Sequence, residues 1–211
     1  MAEVQSHGFT FEKWVRDHFF GGYAGSYMQK WDVDPAHNVY DQVPPELRHL
    51  PVSIKTAKIG TPIGLGDVLR QRQIDHDFLM ITGFWQQRTR TEKWIVDIGY
   101  VVFRADLWNQ LWGQLSLEQL RIIDAIVKDM GEHYSSVRQR AKSWKAQPVV
   151  QQCNIVINPK IDSKTQRRIQ CSLPVETFWK LASRDSIKAP SATLWNKSFP
   201  NPIISAPRVF H

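Results

Sequence analysis

Cysteine is scarce: the 211 residues hold only Cys153 and Cys171. Two thiols cannot build the disulfide framework of a small secreted domain, so a reducing, cytoplasmic setting is expected. They fall symmetrically about an expected hairpin turn, which would set them opposite each other across two strands as small buried hydrophobes. Zinc binding is not expected either. The histidines are scattered at 7, 18, 37, 49, 76, 133 and 211, and neither cysteine has a close thiol neighbour. Long apolar runs are also missing, and no segment approaches the ~20 residues of a membrane helix. The opening MAEVQSHGFTFEKW lacks a basic stretch leading into an apolar core, so no secretory leader is expected. Neither GxxxxGK[ST] nor GxGxxG occurs, and there is no internal repeat or low-complexity segment.

Acid is the other shortage. Twenty Asp and Glu face 27 Lys and Arg, a formal net charge of +7. An excess of that size points to an anionic partner, with nucleic acid first and an anionic membrane surface second. What the chain has in quantity is apolar and aromatic mass. Hydrophobic residues make up 42%, with nine Trp and ten Phe, enough for the core of one large domain. Trp85, Trp94, Trp108 and Trp112 are expected in that core rather than as base-stacking platforms.

Phe11, Trp14, Val15, His18 and Phe19 recur at helical spacing, which predicts a helix from Phe9 to Phe20 ended by Gly21-Gly22. A strand from Ser26 to Val33 and a polar loop from Ala36 to His49 should follow. A second strand runs from Pro51 to Ala57, and IGTPIGLGD reads as a glycine-rich turn into a short helix, Asp67 to Ile74. Asp77 to Trp85 is nearly all apolar, as in a strand buried on both faces, and Trp94 to Phe103 returns as its neighbour. Leu117, Leu120, Ile123, Ile126 and Val127 form one stripe of a helix from Leu117 to Met130 with Ser116 as its cap. A basic helix from Tyr134 to Ala146 follows, in which Lys142 and Lys145 read as ordinary surface charges. Val149 to Ile157 and Arg168 to Leu173 form an expected hairpin, a helix runs from Val175 to Leu181, and a proline-rich extended tail closes the chain. The order predicts a mixed α/β or α+β fold around one central mixed sheet flanked by helices.

Three pieces carry chemistry. Glu12 lies on the first helix, Asp32 in KWDV, and Lys55 in VSIK. A carboxylate and an ammonium on neighbouring strands converge if they share a face, and such half-buried charges need a partner, a metal ion or water. Phosphodiester cleavage uses this set: carboxylates for a hard divalent cation, and a lysine for the negative charge that develops on phosphate. An acidic helix, an Asp strand and a [D/E]-x-K strand in this order resemble the PD-(D/E)xK nuclease superfamily. That superfamily includes many type II restriction endonucleases and the archaeal Holliday junction resolvases. GFTFEKWV is similar to its Glu-bearing helix, KWDV to its Asp strand, and VSIK to its D/E-x-K strand. The resemblance covers Gly8 to Trp85 and implies Glu12, Asp32 and Lys55 as catalytic residues, with Asp32 and Glu12 binding Mg²⁺. The chain departs from the pattern at Ser53, which stands where the family has an acid. The second acidic ligand must therefore come from elsewhere: Glu12 in the first place, with Asp34 and Asp67 as alternatives.

The resemblance implies a restriction-endonuclease-like core over residues 8–103 within a single domain of residues 1–183. The remainder of that domain, residues 104–183, would contribute helices and a hairpin that bind DNA, and residues 184–211 would be the tail. Lys58, Arg70 and Arg72 near the catalytic strand, and Lys160, Lys164, Gln166, Arg167 and Arg168 at the hairpin, are the expected contacts to double-stranded DNA, since a β-ribbon fits the major groove. The expected activity is that of a Mg²⁺-dependent, sequence-specific endonuclease, acting as a homodimer if its target is palindromic. A structure-specific nuclease such as a junction resolvase, or a non-catalytic nucleic-acid-binding protein that has lost the site, are the alternatives.

Overall fold

The computed structural model describes residues 3–25, 30–162, 166–182 and 190–204, with side chains from Gly8 onward. In chain order its elements begin with α1 (Glu3–Phe19), β1 (Val52–Lys58), β2 (Ile63–Asp67), α2 (Val68–Arg72), β3 (Phe78–Gln87) and β4 (Glu92–Phe103). The helices α3 (Ala105–Leu111), α4 (Leu117–Lys128), α5 (Tyr134–Lys145) and α6 (Pro148–Gln151) follow. The chain continues with β5 (Val156–Ile161), β6 (Arg167–Leu173), α7 (Val175–Leu181), β7 (Thr193–Leu194), β8 (Lys197–Ser198) and β9 (Ile203–Ile204). The fold is mixed α+β, as the order of elements predicts. It divides into two compact units. The first comprises residues 1–61, 77–103 and 178–211, and the second residues 62–76 and 104–177. The second unit thus takes residues 62–76 out of the stretch expected as the catalytic core, and the first takes in the stretch expected as the tail.

In the first unit the strands run in the order β1-β3-β4-β9, with β1 parallel to β3 and the other pairs antiparallel. Side chains alternate across a strand, so Val52 and Ile54 share one face with Leu79 and Ile81, their partners in register. That face packs on the apolar stripe of α1, where Phe11, Trp14, Val15 and Phe19 are buried. Burying each of these side chains is worth about 2 kcal/mol. The helix comes close over Gly83, where a Cβ would stand 2.7 Å from the Phe11 ring. On the opposite face a Cβ at Gly99 would stand 2.6 Å from Trp179, which also packs on Phe84. Two glycines therefore admit two aromatic layers, one on each side of the sheet.

In the second unit β2, β6 and β5 form an antiparallel sheet in the order β2-β6-β5. Trp108 and Trp112 are fully buried, and the Trp108 Nε1 donates to the Gln71 carbonyl. Ser116 begins α4 in a capping box: its Oγ accepts from Gln119 N, and the Gln119 side chain accepts from Ser116 N. Leu120, Ile123 and Val127 are buried as the stripe predicts, whereas Leu117 and Ile126 are half-buried.

Several local expectations change. Of the strand expected from Ser26 to Val33, residues 26–29 lie outside the described residues, residues 30–32 form a bend, and Val33 makes a single bridge to Val52. IGTPIGLGD contains the strand β2 rather than a turn alone. Ile63 and Leu65 are buried, the pairing with β6 shifts register between Gly64 and Gly66, and Gly66 at φ +91° occupies the left-handed region. The strand expected at Val149 begins at Val156, because Pro148 starts the helical turn α6. Cys171 is therefore opposite Ile157, not Cys153, whose thiol donates to the Leu111 carbonyl. Both cysteines are free, and burial pushes the Cys171 thiol up. The expected extended tail returns to the first unit instead: β9 pairs with β4, and Leu194, Phe199 and Ile203 join its core. Trp94 is exposed, with the Arg88 guanidinium 5.5 Å from its ring centroid, and Trp85 is half-buried.

Candidate active site

β1 is the edge strand of the first unit's sheet, and its outer edge organises the site. The Asp32 N–H donates to the Val52 carbonyl at 2.9 Å, and the Val33 N–H shares that acceptor at 3.2 Å. Two residues along, the Ile54 N–H points to the same edge and donates to Asp32 Oδ2 at 2.6 Å. The carboxylate thus takes the place that a backbone carbonyl would fill in a continued ladder. A side chain has replaced the strand here, which is why residues 30–33 do not extend the sheet. Lys55 Nζ then lies 3.2 Å from the same Oδ2. Both described contacts of the carboxylate fall on one oxygen.

Glu12 comes from α1. Its Oε1 forms an ion pair with Arg16 Nη1, 3.3 Å away and one helical turn on. Burial pushes its carboxyl above the usual carboxylate range, and the negative charge of Asp32 pushes it further. The charges of Arg16 and then Lys55 act in the opposite direction. Glu12 therefore lies within electrostatic reach of both Asp32 and Lys55. The four charged side chains are each between 22% and 27% exposed, sheltered enough to feel one another and open enough to receive a ligand. The two other acids open as second ligands are engaged elsewhere. Asp34 Oδ2 accepts from the Tyr23 hydroxyl at 2.6 Å, and Asp67 caps α2 by accepting from Arg70 N at 2.9 Å. Ser53 is nearly fully buried and faces Met80 in the parallel register.

Among the described residues no three His, Cys, Asp or Glu side chains group as a metal site. The acids present are the pair Glu12 and Asp32. Mg²⁺ fits that donor set, because it keeps several waters and is commonly held by one or two carboxylates with phosphate oxygens completing the shell. Burial of its charge, and then repulsion from Asp32, raise the Glu12 carboxyl, and a bound cation would offset both.

The residues expected to touch DNA separate into two kinds. Lys58, Lys160, Arg168 and Gln166 are exposed. Lys160 and Arg168 are directly opposite each other across the hairpin. Arg167 and Arg72 instead hold the second unit together. Arg167 donates to the carbonyls of Asp129 and Glu132, and Arg72 to Leu115 O and Asn109 Oδ1. Arg70 is half-buried, its N–H serving the α2 cap, and Lys164 lies outside the described residues.

Three participants escaped the sequence reading. Arg16 was accessible through its i, i+4 spacing from Glu12. Tyr23 binds Asp34 across eleven residues, and no local pattern signals it. Thr82 is opposite Lys55 in the parallel register, fully buried, with its hydroxyl unpartnered among the described residues.

No protein-family model, curated protein or solved structure matches this chain.

Proposed function

We propose that this chain is a Mg²⁺-dependent DNA endonuclease of the PD-(D/E)xK kind, and that it acts as a type II restriction enzyme. One observation carries the reading. The Asp32 carboxylate and the Lys55 ammonium meet 3.2 Å apart at the outer edge of β1, and Glu12 on α1 feels the charges of both. Asp32 and Glu12 would hold Mg²⁺, which supplies Lewis-acid polarisation of the scissile phosphate when bound. Asp32 keeps one oxygen occupied by Ile54 N–H and Lys55, which fixes the direction of the other. The Lys55 ammonium, oriented by Asp32, donates to the phosphate oxygen that gains negative charge, or to the attacking water. Arg16 aligns Glu12 and offsets part of its charge before a cation enters.

The test is cleavage of supercoiled plasmid with Mg²⁺ by the wild type and by Asp32→Ala and Lys55→Ala. Nicking or linearisation by the wild type alone supports the assignment. A wild-type rate in either variant overturns it. Discrete fragments from a large DNA distinguish sequence recognition from selective cutting of branched DNA, the mark of a junction resolvase. For a palindromic target, the cutting species is expected to sediment as a homodimer.

The burial of Ser53 favours a second reading, a nucleic-acid-binding protein without catalysis. The acid absent at that position has no exposed substitute on β1, where the described polar neighbours are Lys55, Thr56 and Lys58. Calorimetry separates the two. Divalent-cation binding abolished by Asp32→Ala supports the nuclease, and its absence in the wild type supports the binding protein.

A further inference from the structure

We propose that the groove between α5 and β5 in the second unit binds the sugar-phosphate backbone of nucleic acid. This groove, of about 320 Å³, is lined by Arg138, Ala141, Lys142, Lys145, Pro159 and Ile161. Its construction follows from the two elements. Val137, Ala141 and Trp144 form the buried stripe of α5, and Arg138, Lys142 and Lys145 run beside them at helical spacing. β5 is the edge of its sheet, and its Ile157 faces inward, fully buried.

Three observations point to a polyanion. Neither α5 (YSSVRQRAKSWK) nor β5 (VINPKI) contains an acid, while together they carry Arg138, Arg140, Lys142, Lys145 and Lys160. Elsewhere Lys13, Arg16, Arg48, Lys55, Arg104 and Lys128 each pair with a carboxylate, and on α5 itself Arg140 pairs with Glu132. Arg138, Lys142 and Lys145 have no such pair among the described residues. Arg138 is also positioned in advance. Its Nε and Nη2 both donate to the Ile161 carbonyl, at 2.9 and 2.7 Å, and its guanidinium lies 4.9 Å from the Tyr134 ring centroid. A guanidinium has five N–H donors, so about three remain for a ligand.

Spacing and surroundings select nucleic acid among polyanions. At a rise of about 1.5 Å per residue, Arg138 and Lys145 stand about 10 Å apart along the helix axis. Laid along the duplex axis, where one strand presents a phosphate about every 3.4 Å, that span covers about three phosphates of the strand. Ala141, Pro159 and Ile161 give an apolar floor against which sugars can lie. An anionic membrane is disfavoured, because the outward residues Ser135, Ser136, Gln139 and Ser143 are polar and exposed, and an interfacial helix needs an apolar face there.

This inference takes DNA as the polyanion from the proposed function and uses none of its cleavage chemistry. The experiment is fluorescence anisotropy of a labelled duplex in EDTA, across a salt series, with wild type and the double variant Lys142→Gln/Lys145→Gln. Both lysines stand outside the buried stripe, and an unchanged melting temperature verifies the variant's fold. The single variant Lys142→Glu repeats the test with a larger charge change. Weaker binding by the double variant, with the slope of log K against log salt smaller by about 1.8 (about 0.9 for each lost phosphate contact), is the expected result. An unchanged slope overturns the proposal, as does failure of the wild type to bind the duplex. Displacement of the duplex by poly-aspartate as effectively as by unlabelled DNA also overturns it, in favour of an acidic protein partner. Binding without cleavage removes the nuclease reading and leaves the groove. Cleavage with an unchanged salt slope in the double variant does the reverse.

Discussion

The Lys55 ammonium and the Asp32 carboxylate meet 3.2 Å apart although 22 residues separate them in the chain. Their meeting point is a backbone donor, the Ile54 N–H, which the edge of a sheet leaves open for a side chain to take. The pair is partly exposed on both sides, so removing one partner costs about 1 kcal/mol of stability at most. In the proposed nuclease its catalytic contribution would be of a different size. Lys55→Ala should therefore lower plasmid cleavage by about a hundredfold or more, as loss of a transition-state charge stabiliser does, with little change in melting temperature. Unfolding and cleavage measured on the same preparation check this. A parallel loss of both would assign Lys55 to stability alone.

Glu12 predicts a pH dependence. Burial, and then the Asp32 charge, raise its carboxyl above the ordinary value of 4.5. A group raised in this way favours the fold when protonated, and that contribution fades as pH rises through the folded-state value. Glu12→Gln should therefore melt higher than the wild type at neutral pH, and the difference should vanish below about pH 4.5, where both states of the wild type are protonated. Melting temperatures of both proteins from pH 4 to 8 measure it. A variant less stable at neutral pH would show that the Arg16 pair outweighs burial. Cleavage should also decline on acidification at a pH above the usual carboxylate range, because Glu12 must be ionised to bind a cation.

The two central glycines make a packing prediction. Gly83→Ala puts a methyl group 2.7 Å from the Phe11 ring, and Gly99→Ala puts one 2.6 Å from Trp179. Each should cost about 1–3 kcal/mol, the range for overpacking a core, when read by urea denaturation. Gly60→Ala serves as the comparison. It meets no atom within 4 Å, and its cost comes only from a φ of +73°.

Arg167 and the Lys160–Arg168 pair should part company under substitution. Arg167→Gln removes two hydrogen bonds to carbonyls, so it should lower stability by about 1–3 kcal/mol and leave the salt dependence of DNA binding unchanged. Lys160→Gln/Arg168→Gln removes two like charges set opposite each other, which are mutually unfavourable in a strand pair. That double variant should fold at least as well as the wild type while its salt slope falls by about 1.8. Identical behaviour of the two variants would remove the distinction between structural and DNA-facing cations.

Periodicity and punctuation determined most of the elements. The apolar stripe of α1, the continuous run of β3, the Ser116 cap and the start of α7 after Pro174 are local signals, and the chain obeys them because each encodes one face to bury or one end to satisfy. The order Glu12, Asp32, Lys55 was equally legible, as were the Ser53 departure and the excess of positive charge. Long-range pairing decided the rest. Ile63 and Leu65 become a strand because β6 offers them a ladder, although the glycines between them signal a turn. The tail returns because Leu194, Phe199 and Ile203 find a core assembled from distant segments. Within the candidate site, the sequence put Glu12 first and left Asp34 and Asp67 as alternatives. The tertiary structure added what spacing could not: Asp34 and Asp67 bond to Tyr23 and to the Arg70 N–H, whereas Glu12, paired with Arg16, feels the charges of Asp32 and Lys55, because charge coupling depends on distance in space rather than along the chain.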